Sequence, residues 1–179
     1  MTRSPAPQSL ADRIGPRLLL IWAGLCIGVA FLATPAKFLA PSLSLPVALD
    51  VGRHTFRAYN HIELALVVFL LAIGVWPQAR RRWFVALAVP GVVVVAQALW
   101  LIPALDLRVA AIMSGHQPPP SNLHVVYIAA EALKVVWLLG FGLAGGVTRQ
   151  ESDAARTEGA DRPPPPRPMP QFVQAPWKD

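Results

Sequence analysis

The residues with chemical capacity in this chain stand inside stretches that are otherwise apolar. In one such stretch His124, Tyr127, Glu131 and Lys134 recur at intervals of three, four and three. At about 100° per residue they form one helical stripe of about 80°. Glu131 and Lys134 would be one turn apart and able to neutralise each other, with Tyr127 reaching Glu131 from the turn before. A second stretch carries His54, Arg57, Asn60, His61 and Glu63, the first four within about 120° of one face and Glu63 about 60° beyond Asn60. Gln97 in a third stretch is expected at the depth of Glu63 and Glu131, and Lys37 at the end of the first is expected to complete the ring.

Ionisable groups in hydrocarbon are costly, and their usual use is an ion, proton or small-ligand site that faces other helices. Arg57, Asn60, His61, Glu63, Gln97, His124, Tyr127, Glu131 and Lys134 are therefore the candidate site residues. In the proton version Glu63 or Glu131 exchanges a proton while Lys134 or Arg57 tunes it. The competing reading is a satisfied polar network that locks helices together.

A third reading uses imidazole. No cofactor is demanded by a motif, but His54, His61, His116 and His124 could ligate haem or a metal from facing helices. HExxH, Walker, GxSxG and CxxC signatures are absent, so no catalytic residue is assigned, and the chain reads more as a non-enzyme than an enzyme. The single cysteine, Cys26, permits no intrachain disulfide and no all-thiolate metal site, and is read as a small buried apolar residue.

What must position these groups is a set of membrane spans. With 54% hydrophobic residues among 179, the composition belongs to the membrane class. The net charge of +6 comes from basic residues placed mostly between apolar runs, which points to anionic headgroups and away from nucleic acid. Crossing takes about 20 apolar residues. Leu18 to about Ala36 and Trp83 to about Leu105 meet this with no charge, while about His54 to Trp76 and Leu123 to Val147 carry charges in their earlier halves. In the last of these, eleven Leu, Ile, Val and Phe residues from Leu123 to Leu143 favour insertion. They supply about 3 to 7 kcal/mol, against about 2.5 to 3.5 kcal/mol lost for each of Glu131 and Lys134. That helix is expected to depend on its neighbours. The first run is longer than a signal-peptide core, and Pro35 stands where cleavage would fall, so it is read as a retained span.

Charge bias sets the expected orientation. Eleven Lys and Arg residues precede the first span, separate the second from the third, or follow the fourth, whereas Lys37, Arg53, Arg57 and Arg108 make four on the other side. Both termini and the Arg80-Arg81-Arg82 turn are thus expected in the cytoplasm, in a cell inner membrane. Trp76 and Trp83 flank that turn as an interfacial belt would. Prolines 118 to 120 preclude helix in the Asp106–Asn122 connection, after which Ser121 or Asn122 is the expected N-cap. Gly24 and Gly28, and Gly142 and Gly146, are small-xxx-small pairs suited to helix packing within the chain or to a homo-oligomer.

The expected architecture is all-α: a cytoplasmic segment 1–17, an antiparallel four-helix transmembrane bundle over 18–147, and a disordered cytoplasmic tail over 148–179 with a proline-rich end. Besides the lipid bilayer, a membrane-protein partner is expected under the accessory-subunit reading, in which the cluster is helix glue and exposed faces recruit a complex. The residues Gly52-Arg53-His54-Thr55-Phe56, Tyr59-Asn60 with Glu63, and His124, Tyr127, Glu131 and Lys134 resemble the transmembrane-protein-205-like group of small four-span membrane proteins. The resemblance covers about Leu18 to Gly146. It implies a multi-pass membrane protein with no assigned enzymatic activity and no binding residues to carry over.

Overall fold

The computed structural model describes residues 10–74 and 80–160, all helical apart from short turns. Arg3, Trp76 with the Pro77-Gln78-Ala79 part of the arginine turn, and the proline-rich end beyond 160 lie outside the described residues. Among the described residues, four helices are long and apolar enough to cross a membrane. They are α1 (Leu10–Lys37), α2 (Leu45–Gly74), α3 (Arg81–Met113) and the Leu123–Val147 part of α4 (Leu123–Ala160). Their outward residues include Ile21, Val68, Val92, Leu99 and Val136, all well exposed. Such a surface is the kind that lipid covers and water does not, which fits a multi-pass membrane protein.

Three boundaries differ from expectation. Helix α2 begins at Leu45 and not near His54, because Pro46 at its start suits a first helical turn, the Ser44 carbonyl accepts the Ala48 N–H at 2.9 Å, and Asp50 pairs with Arg53 at 2.6 Å. Helix α3 runs past Leu105 to Met113 and ends where Gly115 takes φ +82°. There His116 N–H bonds the Ala111 carbonyl and Gly115 N–H the Ile112 carbonyl, a Schellman ending that needs a residue free to turn left-handed. Helix α4 continues to Ala160, so Thr148–Ala160 is helical where disorder was expected. That segment is rich in Ala, Arg and Glu and has no proline to stop it. The expected break at 147 was drawn from the rise in charge, which by itself does not end a helix. At its other end, the Asn122 carbonyl accepts the Val126 N–H at 2.9 Å, placing Asn122 at the N-cap position.

Two helices are locally widened. The N–H of Thr34 bonds the Val29 carbonyl and that of Ile102 bonds the Gln97 carbonyl, five residues back in each case, within the π-helical turns Ile27–Ala33 and Gln97–Leu101. Each lies just ahead of a proline, Pro35 or Pro103. A proline ring collides with the carbonyl four residues before it, and a wide turn moves that carbonyl aside. The consequence is positional: Cys26 borders the first wide turn and Gln97 opens the second, and both are buried.

The apolar core is built from Leu19 and Trp22 of α1, Leu70 of α2, Leu87 and Val94 of α3, and Leu138 of α4. Trp137 ties α4 to α3 by donating to the Ala86 carbonyl at 3.0 Å. Trp83, expected in an interfacial belt, is instead buried against Gly15, where a side chain would collide with its indole, and packs closely on Gly74. The glycine seam is also redrawn. Gly142 and Gly145, not Gly146, receive Pro16 and Leu20 of α1, while Gly24, Gly28 and Gly146 have open space where a Cβ would stand. Leucine at Gly142 should therefore cost about 1 to 3 kcal/mol by overpacking, and leucine at Gly24 should leave the thermal midpoint of the purified monomer unchanged. Equal midpoints for the two variants would contradict this packing.

Candidate intramembrane charge site

Every one of the four helices sends a polar side chain to one buried point. Glu63 is on α2, Glu131 and Lys134 are on α4, Gln97 is on α3, and Trp22 and Cys26 are on α1; all six are essentially without solvent exposure. Lys134 Nζ lies 2.5 Å from Glu63 Oε1 and 2.8 Å from Glu131 Oε1, so one ammonium serves two carboxylates. It also donates to Gln97 Oε1 at 2.9 Å, so its hydrogen bonds go to Glu63 and Gln97 while Glu131 is held as an ion pair. Gln97 in turn donates to Glu131 Oε1 at 2.8 Å, and so bridges acid and base.

The two carboxylates are not equivalent. Glu131 uses both oxygens, Oε1 as above and Oε2 as acceptor for the Tyr59 hydroxyl at 3.2 Å. Glu63 concentrates its bonds on Oε1, which accepts from Trp22 Nε1 at 2.9 Å and Lys134, with Cys26 Sγ at 3.8 Å. Its Oε2 is buried without any hydrogen-bond partner. A buried carboxylate oxygen without a donor is costly, so this is the place where the site is incomplete. The Tyr59 hydroxyl also meets Cys26 Sγ at 2.9 Å, and the Lys134 ammonium lies 5.4 Å from the Tyr59 ring centroid.

Of the residues expected to share the site, Glu63, Gln97, Glu131 and Lys134 are brought together. Asn60 is buried one turn from Glu63 but spends its amide on the Val94 carbonyl at 3.1 Å. Tyr127 is buried, and its hydroxyl lies beside Glu131 without reaching hydrogen-bond geometry. Arg57 is drawn off by an ion pair with Asp106 of α3, and His54 lies 3.7 Å from Asp50. His61 and His124 are exposed, and Lys37 sits against the Phe38 and Phe56 rings, away from the cluster. The ring of polar groups is thus narrower than the stripes suggest, because the residues nearer the helix ends find local partners.

Sequence reasoning missed Trp22, Cys26 and Tyr59. The available signal was spacing: Trp22 and Cys26 are four apart on one face of α1, and Tyr59 stands four before Glu63. Cys26, read as an inert apolar residue, is part of the polar network. Its Sγ and oxygens of Glu63 and Glu131 all lie within 4.8 Å of one another, a spacing that could hold a metal ion. Lys134 Nζ stands in that space and acts as a tethered cation. None of the four histidines belongs to this group, and all are exposed, so the imidazole route to haem or metal finds no converging set among the described residues.

Two cavities flank the site. One of about 590 Å³ between α2 and α3 is lined by Arg53, Arg57, Asn60, His61 and Asp106 together with apolar residues. The other, about 270 Å³, is mainly apolar and lies among α1, α2 and α4. Comparison with family models, curated proteins and solved structures finds no match to this chain.

Proposed function

We propose that this chain is a small multi-pass inner-membrane transport protein whose polar core is a proton site, shared by Glu63 and Glu131 and poised by Lys134. One observation carries the reading: two fully buried carboxylates face one fully buried ammonium, and Glu63 Oε2 has no partner. With all three ionised the core holds one net negative charge. A charge at mid-bilayer costs about 2.5 to 3.5 kcal/mol on insertion scales. One added proton on Glu63 removes the excess. An external monovalent cation would do so as well, but it would have to approach the space Lys134 already fills.

The larger cavity supports a route to this point. Asn60 lines it and is buried one helical turn from Glu63, and His61 and the Arg57–Asp106 pair line the same cavity. In this reading the four helices form an antiparallel bundle with both termini in the cytoplasm, so the cavity opens outward and the arginine turn faces inward. The resemblance to the transmembrane-protein-205-like group belongs to the same proposal.

The test is proton flux into vesicles containing the purified chain, driven by a potassium diffusion potential and read by an internal pH dye. Wild type should exceed protein-free vesicles, and Glu63→Gln should fall to their rate while eluting as wild type does. Wild-type flux no faster than that of empty vesicles would overturn the reading.

A second reading, an accessory or assembly subunit held together by polar glue, draws on the full engagement of Lys134 and of both ends of Gln97. It expects Glu63→Gln, which keeps the bonds to Trp22 and Lys134, to accumulate and work as wild type does, with a membrane partner copurifying at fixed ratio.

A further inference from the structure

We propose that the smaller cavity binds a medium-chain fatty carboxylate, with Lys37 as the counter-ion of its headgroup. The site is separate from the charge cluster and does not depend on how that cluster works. Its walls come from Phe31 and Pro35 of α1, Phe56 of α2, His124 and Ile128 of α4, and Phe38 just after α1. Ala30 and Thr34 also line it and fill little of the space. Both lie at the widened turn ahead of Pro35, the local geometry that holds this end of α1 open.

A charge beside two of its aromatic walls is what selects an acid. Lys37 Nζ lies 5.1 Å from the centroid of the Phe38 ring and 5.6 Å from that of Phe56, and both rings line the cavity. The ammonium rests over Gly52, where a side chain would displace it. Among the described residues no carboxylate pairs with it: Asp50 is engaged by Arg53, and Asp106 by Arg57. A half-buried ammonium between two aromatic faces is weakly neutralised and gains most from an anion. One ammonium matches a single negative charge, as on a carboxylate, better than a phosphate dianion.

The volume selects the chain. About 270 Å³ corresponds to about nine waters at roughly 30 Å³ each. That accommodates one medium-length chain and excludes a two-chain lipid.

Radiolabelled decanoate binding to the full chain in zwitterionic nanodiscs tests this. Saturable binding is expected. Decanol, which lacks the charge, and the Lys37→Met variant should each bind on the order of tenfold or more weaker, the usual size of a lost hydrogen bond to a charged group. Ala30→Phe fills the cavity while keeping Lys37 and should abolish binding, which keeps the test decisive if Lys37→Met fails to fold. Equal binding of decanol and decanoate, undiminished binding by Ala30→Phe, or tighter binding of decyl phosphate than of decanoate would overturn the assignment.

Discussion

Replacing Lys134 with methionine should be the most damaging single change in the molecule, because it removes one cation from two acids. Methionine fills nearly the same space, so the packing loss is small. What remains is Glu63 and Glu131, each fully buried and each deprived of its ion-pair partner. Removing one member of a buried ion pair costs about 3 to 5 kcal/mol, since the survivor keeps its desolvation penalty and loses the attraction that offset it. Here two survivors also repel each other. The Gln97 carbonyl oxygen loses its donor at the same time. The triple variant Lys134→Met, Glu63→Gln, Glu131→Gln should recover most of this loss, because it removes every charge and keeps comparable shapes. Thermal midpoints of the purified variants measure both effects. Strong non-additivity is expected, as for any group of residues in one network. A Lys134→Met protein with a wild-type midpoint would mean that water reaches the carboxylates, and the closed geometry would be wrong.

The same cluster shows how far sequence reasoning reaches. The helical period of His124, Tyr127, Glu131 and Lys134 correctly places Glu131 and Lys134 one turn apart, since that relation is fixed within a single helix. Gln97 at the depth of Glu63 follows from counting rise per residue along two helices, and the structure has them meeting the same ammonium. Relations between helices at their ends were not legible. Arg57 shares a face with Asn60, yet it turns to Asp106, a residue the sequence pattern assigned to a connection because helix α3 was expected to stop at Leu105. Lys37 was expected in the ring and lies instead on two phenylalanines, since its ammonium can rest over Gly52. Trp22 and Cys26 escaped notice because hydropathy counts both as apolar. In hydrocarbon an indole N–H and a thiol are among the few donors a helix can offer without a charge. The widened turns were equally invisible: Pro35 and Pro103 announce a disturbed helix, but whether it kinks, stops or widens depends on what packs beside it.

Glutamine at Glu63 and glutamine at Glu131 should have different consequences for stability, although each leaves the core with one carboxylate and one ammonium. At Glu63 the amide oxygen can keep the bonds from Trp22 and Lys134, and the amide nitrogen takes the place of Oε2, which has no donor to lose. The substitution removes the excess negative charge and breaks no hydrogen bond, which offsets the amide N–H groups left without an acceptor, so the midpoint should hold. At Glu131 both oxygens accept. An amide nitrogen facing Gln97 Nε2 sets donor against donor, and the flipped amide directs its nitrogen to the Tyr59 hydroxyl, which must then turn toward Cys26. One good hydrogen bond is lost or rearranged in either orientation, at a cost of about 1 to 3 kcal/mol when a buried group is left unsatisfied. Glu63→Gln is therefore expected to be stable and without proton flux, and Glu131→Gln to be measurably weakened. That pairing separates chemistry from glue. A core that served only to lock helices would keep its partners' function in the variant that keeps all its bonds, whereas a proton site loses its function with the Glu63 oxygen that has no hydrogen-bond partner.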